Sequence, residues 1–262
     1  MKAIKLRLIV MNFLQFFVWG AWMMTLGHYG FVEKQWNGAE FGLVFSTMGF
    51  ASLVMPTLFG IIADKWKANY VFAIIHALFG VTMCFLPIID APTSFFWVLL
   101  VAMCFYMPTI GLNNSIGFDI LKNEGKDPTM YFPPIRVWGT VGFITAMWIT
   151  NIFTKEWGLG YSIKVSFIIS AVMAFALSLF SFLFIPTINK VKTPENEIEK
   201  PSLIQKLGLE AFVLFKQKKM ALFFLFSLLL GAALQLTNAY GDSFLQDNAV
   251  FPKGELINNF ST

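Results

Sequence analysis

Residues Tyr131–Phe143 read YFPPIRVWGTVGF and open a long apolar run that nevertheless carries an arginine. Arg136, Thr140 and Phe143 follow one another at spacings of four and three. On an α-helix those offsets place all three side chains on one stripe. If the run crosses a bilayer, a cation, a hydroxyl and an aromatic ring project together from lipid depth. Ionisable groups there are costly and usually face a cavity or a partner, which makes the stripe a candidate functional surface. The competing reading is an arginine near a helix end whose guanidinium reaches back to the headgroups. Whether this run is a membrane span therefore decides both the fold and the site.

Composition favours a span. The chain has 262 residues, of which 57% are hydrophobic and only 13% charged. Soluble domains carry about 25% charged residues. Mean hydropathy is +0.67. A helical span needs about 20 mostly apolar residues. Working outward from the Arg136 run, such segments recur at 8–31, 39–63, 69–89, 94–118, 133–153, 162–185 and 220–241. The expected fold is an all-α polytopic membrane protein. Short connections make neighbouring helices antiparallel. The first run, from Leu8, is too long for the apolar region of a cleavable signal and lacks a small-residue cleavage site. The net charge of +4 comes from basic residues between the apolar runs and forms no single patch, which argues against nucleic acid. Cys84 and Cys104 lie in apolar runs and read as small core residues, with no disulfide framework. There is no metal-ligand spacing, nucleophile elbow, P-loop or GxGxxG, so neither an enzyme nor a cofactor is expected.

Basic residues set the orientation. Lys2, Lys5 and Arg7 precede the first span, Lys65 and Lys67 join the second and third, and Lys122 and Lys126 join the fourth and fifth. Lys190, Lys192, Lys200, Lys206, Lys216, Lys218 and Lys219 join the sixth and seventh. Fourteen basic residues thus lie on one side, against Lys34, Lys155, Lys164 and Lys253 on the other. The positive-inside rule puts the N-terminus and the loop before span seven in the cytoplasm.

That loop is the one clear boundary. Residues Thr187–Pro201 (TINKVKTPENEIEKP) are charged and Pro-containing, hence a linker. Ser202 and Gln205 suggest a capping box, and Ile204, Leu207, Ala211, Leu214 and Phe215 follow at helical spacing. An amphipathic helix on the cytoplasmic face is expected. The division is then a six-helix bundle over 1–186, a linker with its amphipathic helix over 187–219, and span seven with the start of a further unit over 220–262. Six spans, a long basic loop and another span are the layout of a major facilitator half followed by the beginning of its second half. Two groups of three spans suit the inverted repeats of such transporters. An odd number of spans and a polar end after Tyr240 lead us to expect an incomplete chain.

Further polar groups sit inside the spans. Gly60–Lys65 (GIIADK) resembles the facilitator loop motif G-x-x-x-D-R/K, a gating motif. Gly60 would admit a neighbouring helix, and Asp64 with Lys65 would latch one conformation. The glycine expected next in the motif is replaced by Lys67, and a plain polar loop is the alternative. In span one, Gln15, Trp19 and Trp22 share a face, with Asn12 one turn earlier. They fit a cavity lining for a flat, hydroxylated ligand and, equally, helix–helix hydrogen bonding with packed indoles. Asn113 and Asn114 in span four read as interhelical glue for at least one of the pair. Gln235 and Asn238 in span seven share a face, and two carboxamides suit sugar hydroxyls or base edges. His28 and His76 read as packed residues in preference to proton relays.

The stretches FLQFFVWGAWMMTLGHYGF, MPTLFGIIADKW, YMPTIGLNNSIGF, FPPIRVWGTVGFITAMW and AFVLFKQKKMALFFLFSLLLGAALQLTNAYGDSFL together resemble the bacterial nucleoside–proton symporters of the major facilitator superfamily. The resemblance covers nearly all of the chain from Met1 to about Leu245. It implies twelve spans in two six-helix halves, inner-membrane location, and proton-coupled nucleoside uptake by alternating access. It further implies substrate contacts at Arg136, Thr140, Phe143, Gln235 and Asn238, with an important acidic residue in later spans. Expected partners are the nucleoside, the proton and the lipid bilayer, with the oligomeric state open. The alternatives are a facilitator for another polyhydroxylated solute such as a sugar, or an inactive half-transporter serving as a membrane scaffold.

Overall fold

Helices dominate the computed structural model, which describes residues 2–155, 163–187 and 215–247. The first span, Lys2–Glu33, is interrupted. Helix α1 (Lys2–Gly20) ends in a turn, α2 (Thr25–His28) resumes, and a π-helical segment (Tyr29–Glu33) closes it. Helix ends leave carbonyls without intrahelical donors, and in a membrane these must be satisfied by the protein. Two neighbouring hydroxyls do so: Ser170 Oγ donates to the Val18 carbonyl at 2.8 Å and Thr150 Oγ1 to that of Ala21 at 3.1 Å.

Helix α3 (Gly38–Lys65) starts at a capping box. The Asn37 side chain accepts from the Ala39 and Glu40 backbone amides, each at 2.9 Å, and Glu40 accepts from the Asn37 amide. Four helices follow: α4 (Ala68–Phe85), α5 (Pro92–Asn123), the short α6 (Pro128–Tyr131) and α7 (Pro133–Lys155). Then come α8 (Lys164–Phe184) and α9 (Lys218–Asp247). The expected linker and amphipathic helix at 188–214 lie outside the described residues.

Six of these helices are long and apolar enough to cross a membrane. The seventh expected span, α7, has 23 residues and is therefore about 34 Å long, sufficient to cross. It misses on apolarity because Arg136, Thr140, Thr145, Thr150 and Asn151 lie along it. A span that lines a polar interior is expected to look this way.

Packing repeats in a symmetric pattern. α1 packs on α7, α3 on α5, and α4 on α8. In terms of spans these are one with five, two with four, and three with six. Exchanging spans one to three with four to six maps the set onto itself, the relation two repeats of inverted topology produce. This symmetry is absent from any obvious sequence self-similarity. The core runs the length of the bundle. One end is aromatic, around Trp22, Tyr29, Phe95, Phe167 and Tyr106. The other is aliphatic, around Leu8, Ile75, Ile116, Ile120 and Leu177.

Candidate functional site

Small residues bring α1 and α7 together. A Cβ added to Gly142 would lie 2.1 Å from the Phe13 carbonyl oxygen. One on Gly20 would lie 2.6 Å from that of Phe143. Such close approach is how helices pack without a hydrophobic driving force between them. Gly139 has a more specific purpose. A Cβ there would meet Phe16 Cδ2 at 2.5 Å and Arg136 Nη1 at 2.7 Å. The bare glycine leaves room for the Arg136 guanidinium to lie over the Phe16 ring, 3.7 Å from its centroid. A cation on an aromatic face gains the most when desolvated.

Arg136 is half-buried and has no carboxylate partner among the described residues. Tyr106 is fully buried, donates to the Gln15 carbonyl at 2.8 Å and stacks on Trp19 at 4.8 Å, nearly parallel. Below this stack runs a buried polar seam between α1 and α5. Gln15 Nε2 donates to Thr109 Oγ1 at 2.7 Å, and Asn113 Nδ2 donates to Asn12 Oδ1 at 2.9 Å. Gln15 Oε1 and Asn113 Oδ1 are buried acceptors without a partner among the described residues.

The expected stripe on α7 is thus positioned as follows. Residues 135, 139, 142, 146 and 150 are buried against neighbouring helices. Arg136 and Phe143 are half-buried and Thr140 exposed, so the stripe follows the open edge of the α1–α7 seam. Of the span-one candidates, Gln15 is fully buried and spent on Thr109, which fits the helix–helix reading. Trp19 is half-buried and remains at the margin of the aromatic cluster, as does Phe143. The same cluster contains Met48, whose sulfur accepts from Gln235 Nε2 at 3.2 Å. Gln235 and Asn238 are both half-buried on the side of α9 that carries buried Ala239, and so face the bundle. There Gly27 meets the Ala239 carbonyl, while Tyr240 packs on Phe31 and Phe41.

Gly60 departs from expectation. A Cβ there would meet nothing within 4 Å, so no helix approaches it among the described residues. Asp64 and Lys65 close α3 in exposed positions. His76 is a packed residue: Nδ1–H donates to the Phe72 carbonyl at 2.8 Å. No group of metal-binding side chains occurs among the described residues. Sequence reading missed Phe16 and Tyr106, the aromatic partners of Arg136 and Trp19. The available signals were Phe13 and Phe16 facing Gly139 and Gly142, each pair three residues apart.

A bundle of membrane-length helices in facilitator packing, with stacked aromatics beside an arginine that has no carboxylate partner among the described residues, defines a multi-pass membrane protein of the major facilitator fold. The chain belongs to the nucleoside H+ symporter family, whose model matches residues 1–261. It is 44% identical over 243 residues to nucleoside permease NupG of Escherichia coli (strain K12), covering 92% of this chain and 56% of the relative. It is 41% identical to xanthosine permease of the same organism, covering 96% of this chain and 58% of the relative. Among solved structures it superimposes on a point mutant of nucleoside transporter NupG with a TM-score of 0.82 at 41% identity. That match covers 98% of this chain and 63% of the crystallised one. The chain therefore spans somewhat more than half the length of the relatives it matches.

Proposed function

We propose that this chain supplies one wall of a proton-coupled nucleoside uptake system of the inner membrane, working by alternating access. The observation that carries the reading is Arg136, a half-buried guanidinium with no carboxylate partner among the described residues, laid over Phe16 beside the Trp19–Tyr106 stack. A planar base can stack on such rings, and Phe143 lies at the same margin. Thr140, Gln235 and Asn238 would meet ribose hydroxyls or base edges. Arg136 would hold an acceptor of the substrate or balance a carboxylate that takes the transported proton. The names of the relatives, a nucleoside permease and a xanthosine permease, support the substrate class. In this reading residues 1–186 act as one bundle, 187–219 as a cytoplasmic linker, and 220–262 begin the opposing wall. The lysine bias supports a cytoplasmic N-terminus. Gly60, Asp64 and Lys65 would act as a gate against helices that approach in another state.

The test is uptake of labelled uridine, adenosine, xanthosine and lactose into proteoliposomes holding the protein that carries this chain at its full length. An imposed proton gradient should drive nucleoside accumulation, and a protonophore should abolish it. Accumulation of lactose alone, or of nothing, would refute the reading. Residues 1–262 by themselves are expected to insert without concentrating nucleoside.

A further inference from the structure

A second pocket, remote from Arg136 in chemistry, lies where the first turns of α1 meet the end of α5 and the start of α7. It encloses about 430 Å³, within the range of small-molecule sites. Its floor is apolar: Leu121 and Ile135 are nearly fully buried, and Ile4 adds to them. Its mouth is open, with Met130 72% and Tyr131 47% exposed. Three lysines line it, Lys2, Lys5 and Lys126, against the single acidic residue Glu124.

One of the lysines is built in. Helix α5 ends with Gly125 at a φ of +69°, a left-handed conformation that glycine adopts without strain. The Lys126 amide donates to the Leu121 carbonyl and the Gly125 amide to that of Lys122, each at 2.9 Å. This is the paired closure of a Schellman turn. It sets Lys126 in the pocket lining, with its ammonium 5.2 Å from the centre of the Tyr131 ring. The adjacent Asp127 carboxylate is engaged in capping α6 through the Thr129 amide.

All three lysines belong to the lysine-rich side of the bundle, where the headgroups of one leaflet meet the helix ends. An apolar floor below, three cations above and a mouth at the interface match the two parts of a membrane lipid. We propose that this pocket binds an anionic phospholipid, with the phosphate among Lys2, Lys5 and Lys126 and an acyl chain over Ile4, Leu121 and Ile135. Basic pockets between helices on this side of a membrane are suited to such headgroups. The proposal is independent of the transported substrate.

The test uses the full-length protein in nanodiscs of phosphatidylcholine alone, or of an equal mixture with phosphatidylglycerol, followed by native mass spectrometry of retained lipid. Wild type should retain one phosphatidylglycerol in preference to phosphatidylcholine, and inorganic phosphate in solution should not displace it. The triple variant Lys2→Gln, Lys5→Gln, Lys126→Gln should lose that preference by on the order of tenfold or more. The pair Lys218→Gln, Lys219→Gln, also basic but at the start of α9, should leave it unchanged. If the triple variant does not reach the membrane, Lys126→Gln alone should weaken retention about fivefold. Equal retention of the two lipids by wild type, displacement by phosphate, or an equal loss in the Lys218/Lys219 pair would each overturn the proposal.

Discussion

Replacing Gly142 by alanine probes the seam that sets the site. The added methyl carbon would stand 2.1 Å from the Phe13 carbonyl oxygen, whereas ordinary contact begins at 3.4 Å. Backbone atoms block it, so α1 and α7 must separate by the difference, about 1.3 Å. Overpacking of this kind costs roughly 1–3 kcal/mol. Against it stands the helix-forming advantage of alanine over glycine, about 1 kcal/mol. Gly60→Ala is the matched control, because open space surrounds that position and only the propensity gain remains. With about 2–4 °C of Tm per kcal/mol for a chain of this size, Gly142→Ala should unfold several degrees below Gly60→Ala. Unfolding can be followed in detergent by tryptophan fluorescence, since Trp19 and Trp22 lie in the cluster that Phe143 adjoins. Equal Tm values for the two variants would refute the close packing of α1 on α7.

Gly139→Ala should weaken nucleoside binding more than it lowers Tm, because its methyl group displaces the Arg136 guanidinium from Phe16; binding assays on the purified variant check this. Asn113→Leu leaves Asn12 Oδ1 without its interhelical donor, and a loss of about 0.6 kcal/mol in stability is expected from denaturation in detergent. On the loops away from the lysine-rich side, the Lys34 ammonium holds the exposed Asp90 carboxyl below its ordinary range. A lowered carboxylate pKa stabilises the fold above the unfolded value and loses that contribution as pH falls through the folded one. Wild type and Asp90→Asn should therefore converge in Tm as acid is added, with a small difference at neutral pH. For topology, Gly38→Cys should react with an impermeant maleimide on intact cells and Glu124→Cys should not; the reverse pattern would invert the orientation.

Element existence was legible because length and apolarity alone define a membrane span: the expected segment 39–63 became Gly38–Lys65, and 94–118 became Pro92–Asn123. The break in span one was not legible, since residues 21–24 are as apolar as their neighbours and the turn is held by hydroxyls 129 and 152 positions away. Helical spacing put Arg136, Thr140 and Phe143 on one stripe but could not say which edge of the seam it follows. Gln15 illustrates the same limit. Its polarity marked an interior face, and only the partner Thr109 on another helix shows that the amide is used for packing. Gly60 shows the opposite case, in which a motif glycine stands in open space.

The account rests most heavily on the guanidinium of Arg136. Lysine keeps the charge but cannot lie as a planar donor over Phe16. Proton-driven uptake of labelled nucleoside by proteoliposomes of the full-length Arg136→Lys variant, at matched protein content, is the most direct measurement. Uptake should fall to near that of Arg136→Ala, with both variants present in the membrane. Uptake by the lysine variant close to wild type would mean that the arginine merely reaches the headgroups, and would contradict the assignment of this surface to the substrate.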